Sequence, residues 1–270
     1  MSRGSVVKRK RLGFTLIEVL ISMLIVGIIS LVFIRLFSST LDATSRITDQ
    51  NALMHEAQIA EQVIASRIKL AWKVFPPGTS IRINSGMTTH NFLADSDTWV
   101  VGTDPILAMI LPPRVPGYTA LCSASNPDYC FRFFAYYAFR RIDYLNAVSP
   151  TSAEALFPDP LNENTWVIME FRRTLTNITD PDAITAPSGD AIYSGVKGRL
   201  LVEYVQPEQD SPIYKIFTMN LDGSVDLSLR MVRHTGKRTY HAPSTTEPPL
   251  TIKAVPRNLG VGSSPTDSAD

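Results

Sequence analysis

Between Phe14 and Ile34 the chain runs through about twenty apolar-dominated residues, directly behind a short basic leader. A run of that length is enough to cross a bilayer as a helix. It therefore removes the first part of the chain from any ordinary globular core. The leader, Met1 to Gly13, holds five bases (Arg3, Lys8, Arg9, Lys10 and Arg11) and no acid. Basic residues beside a span stay on the cytoplasmic side, which puts everything after Leu36 on the far side of the membrane. A cleaved secretory signal would show a small-residue site after its apolar core; here the run ends in Phe33-Ile34-Arg35-Leu36-Phe37. A plain membrane anchor accounts for the length but not for Glu18, near the start of the apolar run. A carboxylate at mid-membrane costs about 2.5–3.5 kcal/mol on insertion scales, and less toward the interface. Charges kept in such a place usually have a partner.

Gly13-Phe14-Thr15-Leu16-Ile17-Glu18, with Arg9-Lys10-Arg11 before it and the apolar run after it, resembles the prepilin signal of the type IV pilin-like family. The resemblance implies cleavage after Gly13 by a prepilin peptidase, with Phe14 as the new, N-methylated terminus. It also implies that Glu18 pairs with the α-amine of a neighbouring subunit during assembly. A carboxylate and an ammonium stabilise each other where either alone in lipid is penalised. Partners implied are other pilin or pseudopilin subunits, the peptidase and an inner-membrane assembly platform. The implied location is the bacterial inner membrane, head in the periplasm, and the pilus tip or cell surface after assembly.

From Thr40 to Trp72 there is no Pro or Gly, and Leu53, Ala57, Ala60, Ile64, Ile68 and Ala71 recur at steps of three or four. That spacing predicts an amphipathic helix continuing the span, stopped at Phe75-Pro76-Pro77-Gly78. The expected helix is about 60 residues, roughly 90 Å long. Many major pilins carry a Pro that kinks this stretch; none is present here, and Arg35 reads as a side chain snorkelling to the far interface. The missing Pro and the large head favour a minor subunit over a major one.

Beyond Gly78 the texture changes to short strand-like runs: Trp99–Gly102, Ile106–Leu111, Phe131–Phe139, Trp166–Thr174, Leu200–Val205, Ile213–Met219, Val225–Val232 and Leu250–Val255. Asp222-Gly223 marks a hairpin between two of them. Thr79–Asp97 and Asn146–Asn164 read as loops. The expected fold class is α+β and pilin-like, a long N-terminal helix packed on an antiparallel sheet. The parts are a leader (1–13), an assembly half of the stalk (14–37), its amphipathic half (38–75), a β-rich head (76–255) and a disordered tail (256–270). The aromatic run Phe131–Phe139 reads as a buried strand, with an exposed contact strip as the alternative.

Chemistry is sparse. The chain holds 26 bases and 25 acids; with five of the bases in the leader, the body is mildly acidic and gives no general phosphate-binding surface and no evidence for nucleic acid. Cys122 and Cys130 are the only cysteines, a candidate disulfide in an exported head. His55, His90, His234 and His241 are scattered without ligand spacing, and no nucleophile, zinc or phosphate-loop motif occurs. The expectation is no catalytic residue, no metal site and no enzyme. Two acidic clusters, Asn177–Asp182 and Asp222–Asp226, offer oxygens to Ca²⁺ but read more simply as turns. The leading reading is a minor type IV pilus subunit serving motility, adhesion or DNA uptake. The alternatives are a minor pseudopilin of a type II secretion system and a free-standing membrane-anchored binding module.

Overall fold

The computed structural model describes residues 15–83, 86–115, 121–152, 155–176, 198–210, 213–236 and 238–257. The chain divides into two compact units, Met1–Asp49 and Gln50–Asp270.

Helix α1 runs from Leu16 to Leu70. In the first unit every described residue up to 48 is exposed, and as far as Phe37 the helix presents apolar side chains on all sides. Its hydroxyls are turned back onto its own backbone: Ser22 donates to Glu18 O at 2.7 Å, Thr40 to Leu36 O at 2.9 Å, and Thr44 to Thr40 O at 2.9 Å. Satisfied in this way, they need no water, as an apolar surrounding requires.

In the second unit the same helix becomes one-sided. Leu53, Ala57, Ala60, Ile64, Ala65 and Ile68 are buried, matching the spacing of three and four in the sequence. The helix closes at Leu70, earlier than the proline pair. The reason is competition for backbone hydrogen bonds. Trp72 N donates to Ile110 O at 2.8 Å and Phe75 N to Ala108 O at 3.0 Å, so the chain joins a sheet edge before Pro76 is reached.

The strands are β1 (Lys73–Val74), β2 (Ser80–Arg82), β3 (Thr98–Val100), β4 (Ile106–Leu111), β5 (Phe131–Arg140), β6 (Trp166–Leu175) and β7 (Arg199–Val205). They continue with β8 (Gln209–Asp210), β9 (Ile213–Tyr214), β10 (Phe217–Met219), β11 (Val225–Leu229), β12 (Met231–Thr235), β13 (Arg238–Ala242) and β14 (Leu250–Ala254). A short helix, α2 (Arg141–Ala147), follows β5. The main sheet has the order β1-β4-β5-β6-β7-β12-β13, and a second sheet the order β10-β11-β14. All pairings in both are antiparallel. The fold is α+β and pilin-like, with a long N-terminal helix and an antiparallel β domain.

Alternation along β5 divides the core in two. Phe134, Tyr136 and Ala138 join the helix residues and the inner side of the second sheet. Phe131, Phe133, Tyr137 and Phe139 pack on the other face with Phe75, Trp99 and Phe171. The aromatic run is therefore core on both faces rather than an exposed strip. Each fully buried ring or aliphatic chain contributes about 1.5–3 kcal/mol of transfer free energy.

Two expected strands are each divided. Ile213–Met219 splits at Lys215-Ile216, and Val225–Val232 splits at Arg230. At the second break the chain changes sheets: β11 pairs with β10 and β14, while β12 pairs with β13 and β7. Arg230 O accepts from Gln206 N at 2.8 Å at the crossing. The Asp222-Gly223 hairpin joins β10 to β11 as expected, with Gly223 at φ 76°, a conformation that costs glycine little. The segment expected as loop from Thr79 to Asp97 contains β2, and α2 lies just ahead of and into the one expected from Asn146.

Candidate functional site

Leader residues 1–13, including Gly13, lie outside the described residues, as does Phe14. The first described residue, Thr15, is the N-cap of α1, and Glu18 is its third helical residue. Thr15 N donates to Glu18 Oε2 at 2.9 Å, and the Thr15 hydroxyl donates to the same oxygen at 3.0 Å. In return Glu18 N donates to Thr15 Oγ1 at 3.4 Å and to Thr15 O at 3.1 Å. This is a reciprocal capping box, Thr-x-x-Glu, which satisfies amides that the first helical turn leaves without partners. The negative side chain also sits at the positive end of the helix dipole. The sequence carries this signal as Thr15-Leu16-Ile17-Glu18, a feature that the reading of Glu18 as an intersubunit partner does not contain. Both Thr15 donors fall on Oε2. Among the described residues no hydrogen bond reaches Oε1, which leaves one carboxylate oxygen for another group.

A model of the prokaryotic N-terminal methylation motif matches residues 8–34. With the long apolar helix behind it, the motif is consistent with a type IV pilin-like protein. The match covers the basic stretch before Gly13, the Phe14–Glu18 segment and most of the apolar run. The motif implies processing by a prepilin peptidase, anchoring in a membrane and assembly with other pilin subunits. No curated protein and no solved structure matched the chain. The motif ends at residue 34, so the β domain is read from its own residues.

In that domain Cys122 and Cys130 form a disulfide, closing the loop that leads into β5. Of the acidic clusters, Asn177–Asp182 lies outside the described residues. Asp222 and Asp226 are engaged in holding their turn. Asp222 Oδ1 accepts from Ser224 N at 2.9 Å, and its Oδ2 accepts from Lys253 Nζ at 3.0 Å. Asp226 Oδ2 accepts from Asn220 Nδ2 at 2.8 Å. The Ser224 hydroxyl and amide, and then Lys253, hold the Asp222 carboxyl down at about 2. Among the described residues no group of three His, Cys, Asp or Glu converges as a metal site.

The histidines are dispersed as the sequence suggested. His90 is the most engaged, with Nδ1 at 3.0 Å from Asp97 and Nε2 at 3.2 Å from Asp95. The bond to Asp97 raises its pKa above the ordinary range, against the effect of burial, with Asp95 adding to the rise. His241 moves the other way, because burial and then the Arg230 charge disfavour its protonated form. Neither has a neighbouring Ser, Thr or Cys bonded in a nucleophile arrangement among the described residues.

Proposed function

We propose that this chain is a minor pilin-like structural subunit, cut after Gly13, methylated on Phe14 and incorporated into, or priming, a type IV pilus. The observation that carries this reading is the methylation motif at the head of a helix whose apolar stretch, residues 16–37, is exposed throughout. Such a surface needs lipid before assembly and other apolar helices after it. Pilin-like proteins are structural, and this chain is read as a structural subunit and not an enzyme.

Glu18 is the assembly residue in this reading. Oε2 completes the capping box, and Oε1 accepts the α-amine of a neighbour's Phe14. In an apolar surrounding that ion pair offsets the desolvation of both charges, while loss of one partner leaves the other uncompensated. Before assembly the head lies in the periplasm, with the basic leader held on the cytoplasmic side.

The test separates anchoring from assembly. Glu18→Ala should insert in the membrane and be processed like the parent chain, yet be missing from sheared filaments. Glu18→Ala subunits present in filaments at the parent level would refute the role. Partners recovered with the assembled chain decide between a pilus and a type II secretion pseudopilus.

A further inference from the structure

A cavity of about 590 Å³ opens in the β domain between the end of α1, the Cys122–Cys130 loop and the ends of β5 and β6. Arg67, Arg114, Arg132 and Arg172 line it, against a single carboxylate, Asp128, among the described lining residues. Strand register explains the convergence. Arg132 lies opposite Thr174, and Phe134 opposite Arg172, so Arg132 and Arg172 share the face that carries Phe134. Arg67 comes down from the last turns of α1 with its guanidinium 5.2 Å from the centre of the Phe134 ring. Arg173 also borders the cavity. It pairs with Phe133 across the strands and so belongs to the opposite face.

Several of these arginines are held in place yet incompletely used. The Arg132 Nη2 donates to Pro112 O at 3.2 Å, and Arg114 Nη1 is 3.1 Å from Asp128 Oδ1. The Nε atoms of Arg67 and Arg132 are buried and have no hydrogen-bond partner. Those two atoms are enclosed, so the cavity meets these arginines through the outer nitrogens of their guanidinium groups. The charges do not balance. Burial, then Arg114 and Arg67, push the Arg132 guanidinium below its ordinary pKa, with Asp128 opposing. Four like charges and one carboxylate leave a surplus that a multiply charged anion would neutralise. A guanidinium fork suits tetrahedral oxyanions, and the volume falls in the range of small-ligand sites.

We propose that this cavity is a binding site for a ligand bearing a phosphoryl group, held by Arg67, Arg132 and Arg172, with the disulfide-closed loop as its wall. The guanidinium groups of Arg67 and Arg132 take the phosphoryl oxygens, and Arg172, on an exposed position of β6, closes the site from the solvent side. This inference is independent of the pilus reading, since it concerns the β domain alone.

The experiment is calorimetric titration of the full-length chain in non-ionic detergent. Inorganic pyrophosphate serves as the free anion, glucose 1-phosphate as a phosphoryl group on a larger ligand, and a short oligoglutamate as a carboxylate control. Saturable binding of either phosphoryl probe is expected, weakened by added salt. Arg132→Gln and Arg172→Gln should each weaken it about tenfold or more, the scale of one charge-assisted hydrogen bond. Arg172→Gln alters an exposed side chain, so it tests the site even if Arg132→Gln fails to fold. Tighter binding of pyrophosphate would assign the site to a free anion, and tighter binding of glucose 1-phosphate to a phosphorylated ligand. No saturable binding of either probe, equal binding by parent and Arg172→Gln, or preference for oligoglutamate would overturn the proposal.

Discussion

Glu61 shows how one side chain can make the β domain sensitive to pH. It sits on the buried face of α1, only 8% exposed, and its Oε1 has no hydrogen-bond partner. Burial pushes its carboxyl up to about 7, with only the amide of Leu229 on β11 opposing. The folded state then holds a proton that the unfolded chain has released. Its contribution to stability is full below the ordinary carboxylate value of 4.5 and is lost as pH rises through about 7. Glu61→Gln keeps an acceptor for Leu229 and removes the titration. We expect the variant to be more stable than the parent at pH 8, by about 1–2 kcal/mol, the scale of an imperfectly paired buried polar group. At pH 5 the difference should be small. Denaturant unfolding at the two pH values checks this, and an equal difference at both would contradict it.

At the scale of elements, α1 is one helix with two kinds of surface. It is exposed up to residue 48, apolar as far as Phe37 and largely polar from Ser38 on, and from Leu53 onward it buries one stripe against strands of both sheets. Ile64 is fully buried there. Ile64→Ala should cost about 2–5 kcal/mol, read as a lower denaturation midpoint with the helical signal up to residue 48 retained. Coincident loss of both would show that the two stretches melt as one. The same elements show what the sequence makes legible. The helix stripe, β4, β5 and β6 were visible because their apolar patterns are long and agree with local preference. The end of α1 was misplaced because β1 is only two residues long and is fixed by partners on β4. The division at Arg230 was hidden because β11 and β12 form one apolar run in sequence while their partners lie in different sheets. The arginine cavity was less legible still. Its cations stand at positions 67, 114, 132 and 172, and only strand register and helix packing bring them together.

For the whole molecule, the two units divide the work. The motif and the apolar helix imply processing, anchoring and assembly, and the β domain supplies a packed body. One disulfide and a two-sided aromatic core hold that body together. The capping box links the scales, since bonds between residues one helical turn apart fix where the Glu18 carboxylate points. The most direct measurement is mass spectrometry of the protein cross-linked in its native cells, reading both its first peptide and its partners. The account predicts a peptide beginning at methylated Phe14, with the apolar helix cross-linked to other pilin-type chains. A leader still joined to Phe14, with no pilin-type partner in the cross-links, would contradict it and leave a membrane-anchored binding module.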